Sequence, residues 1–542
     1  MRTSNHEYDI LIKNGFIVDG SGAPYLKGDV GIKDGCIAKI GLDLGGCATR
    51  VIDAKGLIVA PGFIDIHSHA DLTILAVPHA DSTVSQGVTT AVGGNCGLSM
   101  APLNPKTGTL LKEYLAPFLV PGYDYGWDWR TLGDFHRKLE ERKVAINLAL
   151  LVGHGTLRIA VKGFDPSPLT KEEMDEMKAL LRQSILDGAW GLSTGLIYPP
   201  GSYASTGEII ELAKVLKEFP VRLTYFSHIR NEGRYLIEAV EEAIEIGEKA
   251  DVPVQISHHK ASGRSNWGKT SATLRLMERA RNRGVEVSCD VYPYIAGSTT
   301  IMSLLPNWVL EGGVEKALER LKDPEARRRI KEEVEEDRVK GENWIKGCGW
   351  EGIYVSSCPV APEYEGKSLK EILSGHADLY EGLFDWLIKI GGKASMVIFY
   401  GDEEDMETIL KHPLSCVGSD SWSTSPKVGG RPHPRAYGTF PRVLGRYARE
   451  KKVLSLEEAV KKMTLIPASK LGLWDRGLVR EGFKADIVVF NPSTVIDNAT
   501  YTDPHQRPSG IHYVIVNGEV VVEEGELTGK LPGRVLKPLR AC

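Results

Sequence analysis

The 542 residues of this chain are too many for one simple core, so we expect two or three domains. Hydrophobic residues make up 42% of the sequence and charged residues 25%, as is typical of a globular protein in aqueous solution. The formal net charge of -5 argues against a nucleic-acid partner, because proteins that bind polyanions usually carry a basic patch.

The N-terminal residues 1–9 are polar and mixed in charge, without the apolar core of a signal peptide. No stretch is apolar enough to predict a membrane span. The eight cysteines lack framework spacing, which predicts reduced thiols; they are Cys36, Cys47, Cys96, Cys289, Cys348, Cys358, Cys416 and Cys542. We therefore expect a cytoplasmic protein without a membrane partner.

Residues 1–58 predict a small antiparallel β unit. Alternating apolar residues flank Asn14-Gly15 and again Asp34-Gly35, and such pairs are typical of tight hairpin turns. Residues 471–542 have the same character, with a turn at Asn517-Gly518. The simplest interpretation is one β domain built from both ends of the chain.

From residue 59 onwards, apolar strands alternate with amphipathic helical segments. The candidate strands are Val59–Ile66, Val88–Gly93, Val144–Val152, Trp190–Ser193, Arg222–Phe226, Pro253–Ser257, Val285–Cys289, Met396–Tyr400 and Ser415–Gly418. This alternation predicts a (β/α)8 TIM-like barrel over residues 59–300 and 361–470. One of the nine candidates is surplus, and Met396–Tyr400 is the one that we omit.

Residues 301–360 interrupt the alternation with a highly charged, helical segment. We interpret it as a helical subdomain inserted between barrel units. Its position between two strand ends favours a lid over the mouth of the barrel. The alternative is an ordinary pair of long surface helices.

The first barrel strand ends at His67-Ser68-His69. Side chains alternate along a strand, so the two imidazoles share one face and can bind one metal ion. By itself, an H-x-H pair equally fits two polar residues at a strand end. The pair therefore becomes informative only with partners.

Four other strands end in side chains of the same chemistry, namely Cys96 in "GGNCG", His228 in "SHIRNEG", His258 in "ISHHK" and Asp420 in "GSDSW". Each residue alone has an ordinary alternative, such as a buried thiol, a core histidine or a helix cap. Because β/α barrels place their active sites at the C-terminal ends of the strands, the shared position favours one metal site. His259 should point to the opposite face, and His154 fits either a site contact or core packing.

Imidazole, thiolate and carboxylate are the ligands that zinc prefers. A catalytic zinc lowers the pKa of its water to about 7 and polarises a carbonyl. A nearby carboxylate, for which Asp420 is suited, can take the proton from water and return it to a leaving nitrogen. These residues predict metal-assisted hydrolysis of an amide.

Several motifs also resemble those of a known family, among them "GLIVAPGFIDIHSHAD", "GVTTAVGGNCGLSMAP", "SHIRNEG", "ISHHKASGRSNWG" and "GLVREGFKADIVVFNP". Over nearly its whole length the chain resembles the amidohydrolase superfamily and, within it, the N-acyl-D-amino-acid deacylases (D-aminoacylases). The resemblance implies a distorted barrel, a β-sandwich domain from both termini and an inserted lid.

The same resemblance implies one tightly held zinc on Cys96, His228 and His258, and a weaker second metal position on His67, His69 and Asp420. Asp420 would also be the catalytic base. Many superfamily members bridge two metals with a carboxylated lysine on the fourth strand. Here that strand reads "AWGLSTG", so Cys96 is the expected bridge.

The resemblance also places four residues in the substrate pocket, namely Lys260, Arg431, Tyr198 and Tyr292. An N-acyl amino acid carries a carboxylate, for which fixed cations are natural partners. The alternatives are surface cations and packing tyrosines. Ser421-Trp422 departs from close relatives, which often have glycine after the catalytic aspartate, and Trp422 is expected to reshape the pocket.

The resulting hypothesis is a zinc-dependent enzyme that converts small N-acyl-D-amino acids into a carboxylate and a D-amino acid. One alternative is a cyclic-amide hydrolase similar to hydantoinases or dihydroorotases, although their metal sites usually need the missing lysine. Another is a non-catalytic scaffold with the amidohydrolase fold, although such proteins lose metal ligands that this chain retains.

Overall fold

The computed structural model describes residues 6–339 and 341–538; residues 1–5 of the polar N-terminus and Cys542 lie outside the described part. Eight parallel strand positions form a barrel. In chain order they are Phe63–Asp65, Val88–Gly93, Asn147–Leu150 with Val152–Gly153, Gly191–Gly195, Thr224–His228, Val254–Ile256, Val287–Val291 and Ser415–Val417. We call these the first to eighth barrel strands.

The barrel closes where the first and eighth strands meet. The backbone N–H of Asp420 donates to the carbonyl of His67 at 2.7 Å, and that of His69 donates to the carbonyl of Ser421 at 2.8 Å. All other neighbouring strands pair in parallel. The predicted barrel is therefore confirmed, and its closing contacts lie among the candidate metal ligands.

Helices alternate with the barrel strands and pack around them. They are Asp81–Val84, Gly108–Leu115, Leu132–Arg142, His154–Lys162, Lys171–Asp187, Thr206–Ala213, Leu236–Ala250, Thr270–Asn282, Glu403–Lys411, Arg435–Arg442 with the π-helical Val443–Glu450, Leu456–Met463 and Leu465–Leu471. Lys171–Asp187 shows why such segments fold locally. Thr170 and Glu173 form a capping box at its start, and Gly188 in a left-handed conformation ends it.

The β domain contains strands from both ends of the chain, as expected. Its strands are Tyr8–Ile17, Leu26–Lys33, Cys36–Gly41, Ala48–Asp53, Ile58–Pro61, Ile487–Phe490, Ile511–Val516, Glu519–Glu523 and Glu526–Leu527. Ile58–Pro61 joins the two halves, because it pairs with both Tyr8–Ile17 and Ile487–Phe490. A last strand, Val535–Leu536, pairs with the third barrel strand.

Two of the three predicted turns are confirmed. Asp34-Gly35 and Asn517-Gly518 connect antiparallel strands, and all four residues have positive φ, as this kind of turn requires. The turn predicted at Asn14-Gly15 is wrong. There Tyr8–Ile17 continues as one strand through a bulge, in which Asn14 has a φ of 63° and its N–H donates to Asp29 at 2.8 Å.

Residues 297–400 form a separate layer beside the barrel mouth. Its helices are Val314–Arg320, Pro324–Glu335, Trp344–Cys348, Leu369–Ile372 and Leu379–Ile390, and its antiparallel strands are Gly297–Thr300, Ile353–Ser357 and Ser395–Ile398. The last strand corresponds to the candidate omitted from the barrel, and that omission is confirmed.

One apolar cluster runs through this layer from Ile301 to Tyr400, well past residue 360. It includes Leu387 of the helix Leu379–Ile390, which faces the insertion rather than the main barrel core. We therefore propose that the insertion ends at Tyr400 and that the barrel resumes with Glu403–Lys411. The divisions at residues 58, 300 and 470 are kept as proposals. Within the described ranges, no helix is both long and apolar enough to cross a membrane.

Candidate metal centre

The six predicted ligands lie together at the C-terminal end of the barrel. They form two groups that share Cys96, one with His67, His69 and Asp420 and the other with His228 and His258. Within each group, every pair of ligand atoms lies within 4.8 Å. The structure thus brings together side chains that follow five different strands.

Three of these residues have a backbone conformation that is rare for L-amino acids. The φ angles of Cys96, His258 and Asp420 are 54°, 35° and 51°. Such conformations cost on the order of 1–3 kcal/mol each and occur preferentially at functional sites. Hydrogen bonds hold two of them in place: the N–H of Asp420 donates to the carbonyl of His67, and that of His258 donates to the Asp290 carboxylate at 2.7 Å.

Cys96 lies at the centre of the cluster. Its Sγ is 3.3 Å from Nε2 of His67 and 3.5 Å from Nε2 of His258, which in turn is 2.9 Å from Nδ1 of His228. Burial by itself would raise the pKa of the Cys96 thiol, but the imidazoles of His67 and His258 lower it well below its usual value. The lowered pKa favours the thiolate, the form that binds metals.

The donor set fits a zinc ion. Sulfur, nitrogen and oxygen atoms converge on a buried point, and Nε2 of His228 has no hydrogen-bond partner among the described residues. Electron-pair donors that crowd together in a buried site are costly unless protons or a cation lie between them. The residue types are those of zinc sites.

Two carboxylates that the sequence interpretation missed orient the histidines. Oδ1 of Asp290 lies 3.1 Å from Nδ1 of His67, and Oε1 of Glu232 lies 2.9 Å from Nδ1 of His258. In both histidines the other ring nitrogen, Nε2, lies towards Cys96, and Nζ of Lys260 is also 2.7 Å from Nδ1 of His258. A carboxylate beside the outer ring nitrogen is typical of carboxylate–histidine–metal arrangements. Glu232 lies in the motif "SHIRNEG" quoted above, and Asp290 lies at the end of the seventh barrel strand, where the sequence reads "DVYPY".

The two carboxylate oxygens of Asp420 have different partners. Its Oδ1 lies 3.2 Å from Nε2 of His69 and 3.4 Å from Nε2 of His67, while Oδ2 pairs with Nη1 of Arg435 at 2.8 Å. Burial would raise the pKa of Asp420, but Arg435 and His258 hold it well below its usual value. Asp420 is therefore ionised and able to accept a proton.

The cation beside Asp420 is Arg435 and not Arg431. Arg435 is buried at the start of the helix Arg435–Arg442, and its guanidinium lies over the ring of Tyr292 at 4.8 Å. Arg431 is exposed and borders a neighbouring groove, which is lined by residues that include Leu318, Gly392 and Ser423. Trp422 lines both this groove and the pocket that contains the metal ligands. The motif "RPHPRAYG" contains both arginines, and only the packing of the helix distinguishes them.

The other predicted substrate contacts line the same pocket as the ligands. Nζ of Lys260 pairs with Glu232 at 2.5 Å and lies 5.6 Å from the centre of the Tyr292 ring. The hydroxyl of Tyr198 is 2.8 Å from Oγ1 of Thr299, and its ring is 5.2 Å from that of His228. The pocket therefore joins the metal ligands to a cation and two tyrosines.

The inserted layer completes this pocket. Trp344, Ile398 and Tyr400 line it together with the barrel residues. The hydroxyl of Tyr400 is hydrogen-bonded to that of Tyr292, which links the insertion to the seventh barrel strand. The insertion thus forms a wall of the pocket.

Two further histidines lie outside the cluster. Nε2 of His154 is 2.9 Å from Glu208, which also pairs with the buried Arg158. Nε2 of His259 is 2.7 Å from Oγ1 of Thr273, so this ring points away from the ligands, as predicted. Both rings have roles in packing and hydrogen bonding.

Comparison with known proteins assigns the family. A model of the amidohydrolase family matches residues 50–294 and 371–522, which is more than half of the chain. The chain belongs to the amidohydrolase family. The gap between the matched ranges, residues 295–370, lies almost entirely within the inserted layer of this amidohydrolase.

Individual relatives are similar over the full length. A D-aminoacylase from Alcaligenes xylosoxydans xylosoxydans is 37% identical over 99% of both chains. An N-acyl-D-glutamate deacylase from the same organism is 36% identical over 98% of this chain and 96% of its own. The predicted resemblance to N-acyl-D-amino-acid deacylases is confirmed.

Solved structures give the same result. A Bordetella bronchiseptica N-acyl-D-glutamate deacylase, complexed with zinc and a phosphonate mimic of the tetrahedral intermediate, is 35% identical. It aligns with a TM-score of 0.81 over 98% of this chain and 99% of its own. A D-hydantoinase is only 17% identical, with a TM-score of 0.54, and shares the fold alone.

Glu342 connects the insertion of this amidohydrolase to the metal-ligand region. Its carboxylate accepts a hydrogen bond from the backbone N–H of Glu232, and both side chains are buried. Glu232 keeps its negative charge because Lys260 and His258 stabilise it. Burial and the charge of Glu232 raise the pKa of Glu342 to about 8.

We expect Glu342→Gln to reduce the loss of stability at alkaline pH. Folded Glu342 holds a proton that the unfolded chain releases above its ordinary value of 4.5, so the free energy of unfolding falls as the pH rises towards 8. Between pH 6 and pH 9, the variant should lose less stability than the wild type by about 1–3 kcal/mol. Thermal melting at both pH values measures this.

The matched control is Glu336→Gln, which changes an exposed carboxylate in the same inserted segment. It should leave the pH dependence unchanged. Equal melting behaviour of Glu342→Gln and the wild type at both pH values would show that Glu342 is already ionised in the folded protein.

Proposed function

We propose that this protein is a zinc-dependent amidohydrolase that converts N-acyl-D-amino acids into a carboxylate and a free D-amino acid. The observation that carries the proposal is the pair of ligand groups sharing Cys96, with the ionised Asp420 beside them. Full-length similarity to a D-aminoacylase and to an N-acyl-D-glutamate deacylase supports the choice of substrate class.

The proposal assigns the tightly held zinc to Cys96, His228 and His258, and a weaker second metal position to His67, His69 and Asp420. The thiolate of Cys96 belongs to both groups and replaces the bridging lysine, which the fourth barrel strand lacks. Asp290 and Glu232 keep the histidine rings in the ligating orientation. When bound, zinc polarises the scissile carbonyl and activates the attacking water.

Asp420 acts as the base in this proposal. Its carboxylate takes a proton from the attacking water as the C–O bond forms, and then gives that proton to the amide nitrogen as the C–N bond breaks. Arg435 holds the carboxylate through Oδ2 and leaves Oδ1 towards the cluster. The carboxylic acid formed when the C–N bond breaks then loses its remaining proton to the amine, so the products are a carboxylate and an ammonium group, and atoms and charge balance.

Lys260 is the proposed partner of the α-carboxylate, with Tyr292 beside it. Lys260 is half-buried and pairs with the buried Glu232, so its position is fixed before substrate binds. Tyr198 is proposed to contact the scissile carbonyl or the carboxylate. Arg431 remains a predicted carboxylate partner, although its exposed side chain would have to turn inwards past Trp422.

Two alternatives are less well supported. Similarity to the D-hydantoinase shows the fold alone, and the fourth barrel strand, Gly191–Gly195, offers no lysine for a carbamate. A non-catalytic scaffold does not explain a buried thiolate among histidines. We also propose a cytoplasmic location, because all seven described cysteines are free thiols.

The test is an activity panel with metal analysis. We expect the zinc-loaded protein to release free amino acid from N-acetyl-D-amino acids, with N-acetyl-L-amino acids turned over at least about 100-fold more slowly. Hydantoins and dihydroorotate are the comparison substrates. Hydrolysis of the cyclic amides alone, or no turnover of any substrate by the zinc-loaded protein, would overturn the proposal.

A further inference from the structure

We infer that this enzyme selects substrates with a bulky apolar group and rejects those with a second carboxylate. The inference rests on the proposed function and specifies which N-acyl-D-amino acids the enzyme prefers. The relatives include both a D-aminoacylase and an N-acyl-D-glutamate deacylase at nearly equal identity, so similarity does not decide between neutral and acidic substrates.

An apolar cavity opens directly beside the metal-ligand pocket. Leu98, Phe118 and Tyr198 line both spaces and therefore form the passage between them. The ring of Tyr198 is next to that of His228, so the cavity begins one ring away from a metal ligand. We call the space beyond these three residues the apolar cavity.

The far walls of the apolar cavity are mostly hydrocarbon and aromatic. They are formed by side chains that include Tyr114, Phe164, Ile197, Met302, Leu310 and Val314. Met302, Leu310 and Val314 come from the inserted layer, whereas Tyr114 comes from the helix Gly108–Leu115 and the other two come from barrel loops. An apolar group that enters here leaves water and gains roughly 0.8 kcal/mol per buried CH₂.

The charges around the site disfavour a second carboxylate. Glu113 is the one charged side chain among the described residues that line the apolar cavity, and it is an anion. In the pocket itself, the two cations are Lys260 and Arg435, and each is already paired with a carboxylate. The α-carboxylate of a substrate uses the end of the pocket at Lys260, and a second carboxylate has no free partner in the cavity.

Arg431 does not supply a cation to the apolar cavity. It borders the neighbouring groove, not the apolar cavity, and Trp422 lies between that groove and the pocket. The groove adjoins the apolar cavity at Glu113, Pro117, Phe118, Val314 and Gly392, but Arg431 itself lines only the groove. An acidic side chain placed in the cavity would be buried without a hydrogen-bonding cation among the described lining residues, which is strongly unfavourable.

The apolar group can belong either to the D-side chain or to the acyl chain. A first experiment compares both sources on the zinc-loaded wild type by measuring kcat/KM. One series varies the side chain (N-acetyl-D-alanine, -leucine, -phenylalanine, -aspartate and -glutamate), and the other varies the acyl chain (N-acetyl- and N-octanoyl-D-alanine). We expect the best apolar substrate to exceed the two acidic ones by at least about 100-fold.

A second experiment introduces a cation into the cavity. Leu310→Arg places a guanidinium in its wall, whereas Leu318→Arg, the matched control, alters a similarly half-buried leucine that borders the groove. We expect Leu310→Arg to lower kcat/KM for the preferred apolar substrate by about tenfold or more, with little change for N-acetyl-D-alanine. If Leu310→Arg lowers kcat/KM in the side-chain series, the D-side chain occupies the apolar cavity. If it lowers kcat/KM in the acyl-chain series, the acyl chain occupies it.

The outcomes separate this inference from the proposed function. If N-acetyl-D-aspartate or -glutamate is the best wild-type substrate, the deacylase function stands and the inference fails. The inference also fails if a folded Leu310→Arg affects short and bulky substrates equally, or if Leu318→Arg has the same selective effect. If Leu310→Arg does not fold, the wild-type series still decides. If no N-acyl-D-amino acid is hydrolysed, the proposed function itself fails.

Discussion

Asp420→Asn should lower kcat by about a thousandfold while the protein retains zinc on its other ligands, because general-base catalysis typically contributes 10²–10⁴-fold. An amide has nearly the shape of a carboxylate but cannot accept the proton of the attacking water. Cys96, His228 and His258 do not depend on Asp420 for their mutual contacts. Steady-state kinetics and zinc analysis of the same preparation measure both quantities.

Asp497→Asn is the matched control for this variant. Asp497 forms its own carboxylate–arginine pair with Arg442 at 2.9 Å, as Asp420 does with Arg435, but it does not line the pocket. Loss of that pair should affect stability more than kcat. Near-normal turnover by Asp420→Asn with zinc bound would show that another group is the base.

Cys96→Ala should lose both zinc and activity, because Sγ of Cys96 is the atom common to the two ligand groups. We expect zinc affinity to fall by more than about 100-fold, since loss of a direct ligand should exceed the 10–100-fold effect of losing an outer partner. Zinc per chain after dialysis against a weak chelator, and residual kcat after zinc is added back, are the measurements.

The control is Cys416→Ala, which removes another fully buried sulfur. Burial raises the pKa of the Cys416 thiol to about 12, so this sulfur stays protonated and behaves as a small apolar group. The variant should retain zinc. Full zinc retention by a folded Cys96→Ala would remove Cys96 from the metal site.

The barrel was predictable because its strands are continuous apolar runs that end in polar residues. The runs before His67 and His228 are buried on both faces, and such runs stand out in a sequence. The bulge at Asn14 was not predictable in the same way. Asn-Gly favours positive φ in a turn and in a bulge alike, and pairing with Leu26–Lys33 decided between them.

The C-terminal end of the insertion could not be predicted from the sequence either, because it depends on packing between distant segments. The helix Pro324–Glu335 leaves all its charged side chains at least partly exposed and buries only a narrow apolar face that includes Ile330 and Val334. The sequence therefore showed its charge clearly. It did not show that Leu387, more than 50 residues later, packs into the same apolar cluster.

The sequence by itself determined the barrel, the family resemblance and the six metal-ligand candidates. Each strand and each motif on which they depend is a short continuous segment of the chain. Only the tertiary structure decided which carboxylates orient His67 and His258, that Arg435 rather than Arg431 holds Asp420, and that an apolar cavity adjoins the ligands. Those contacts join residues from different strands and loops. Their distances and charges are set by the closure of the barrel and by the packing of the insertion against its mouth.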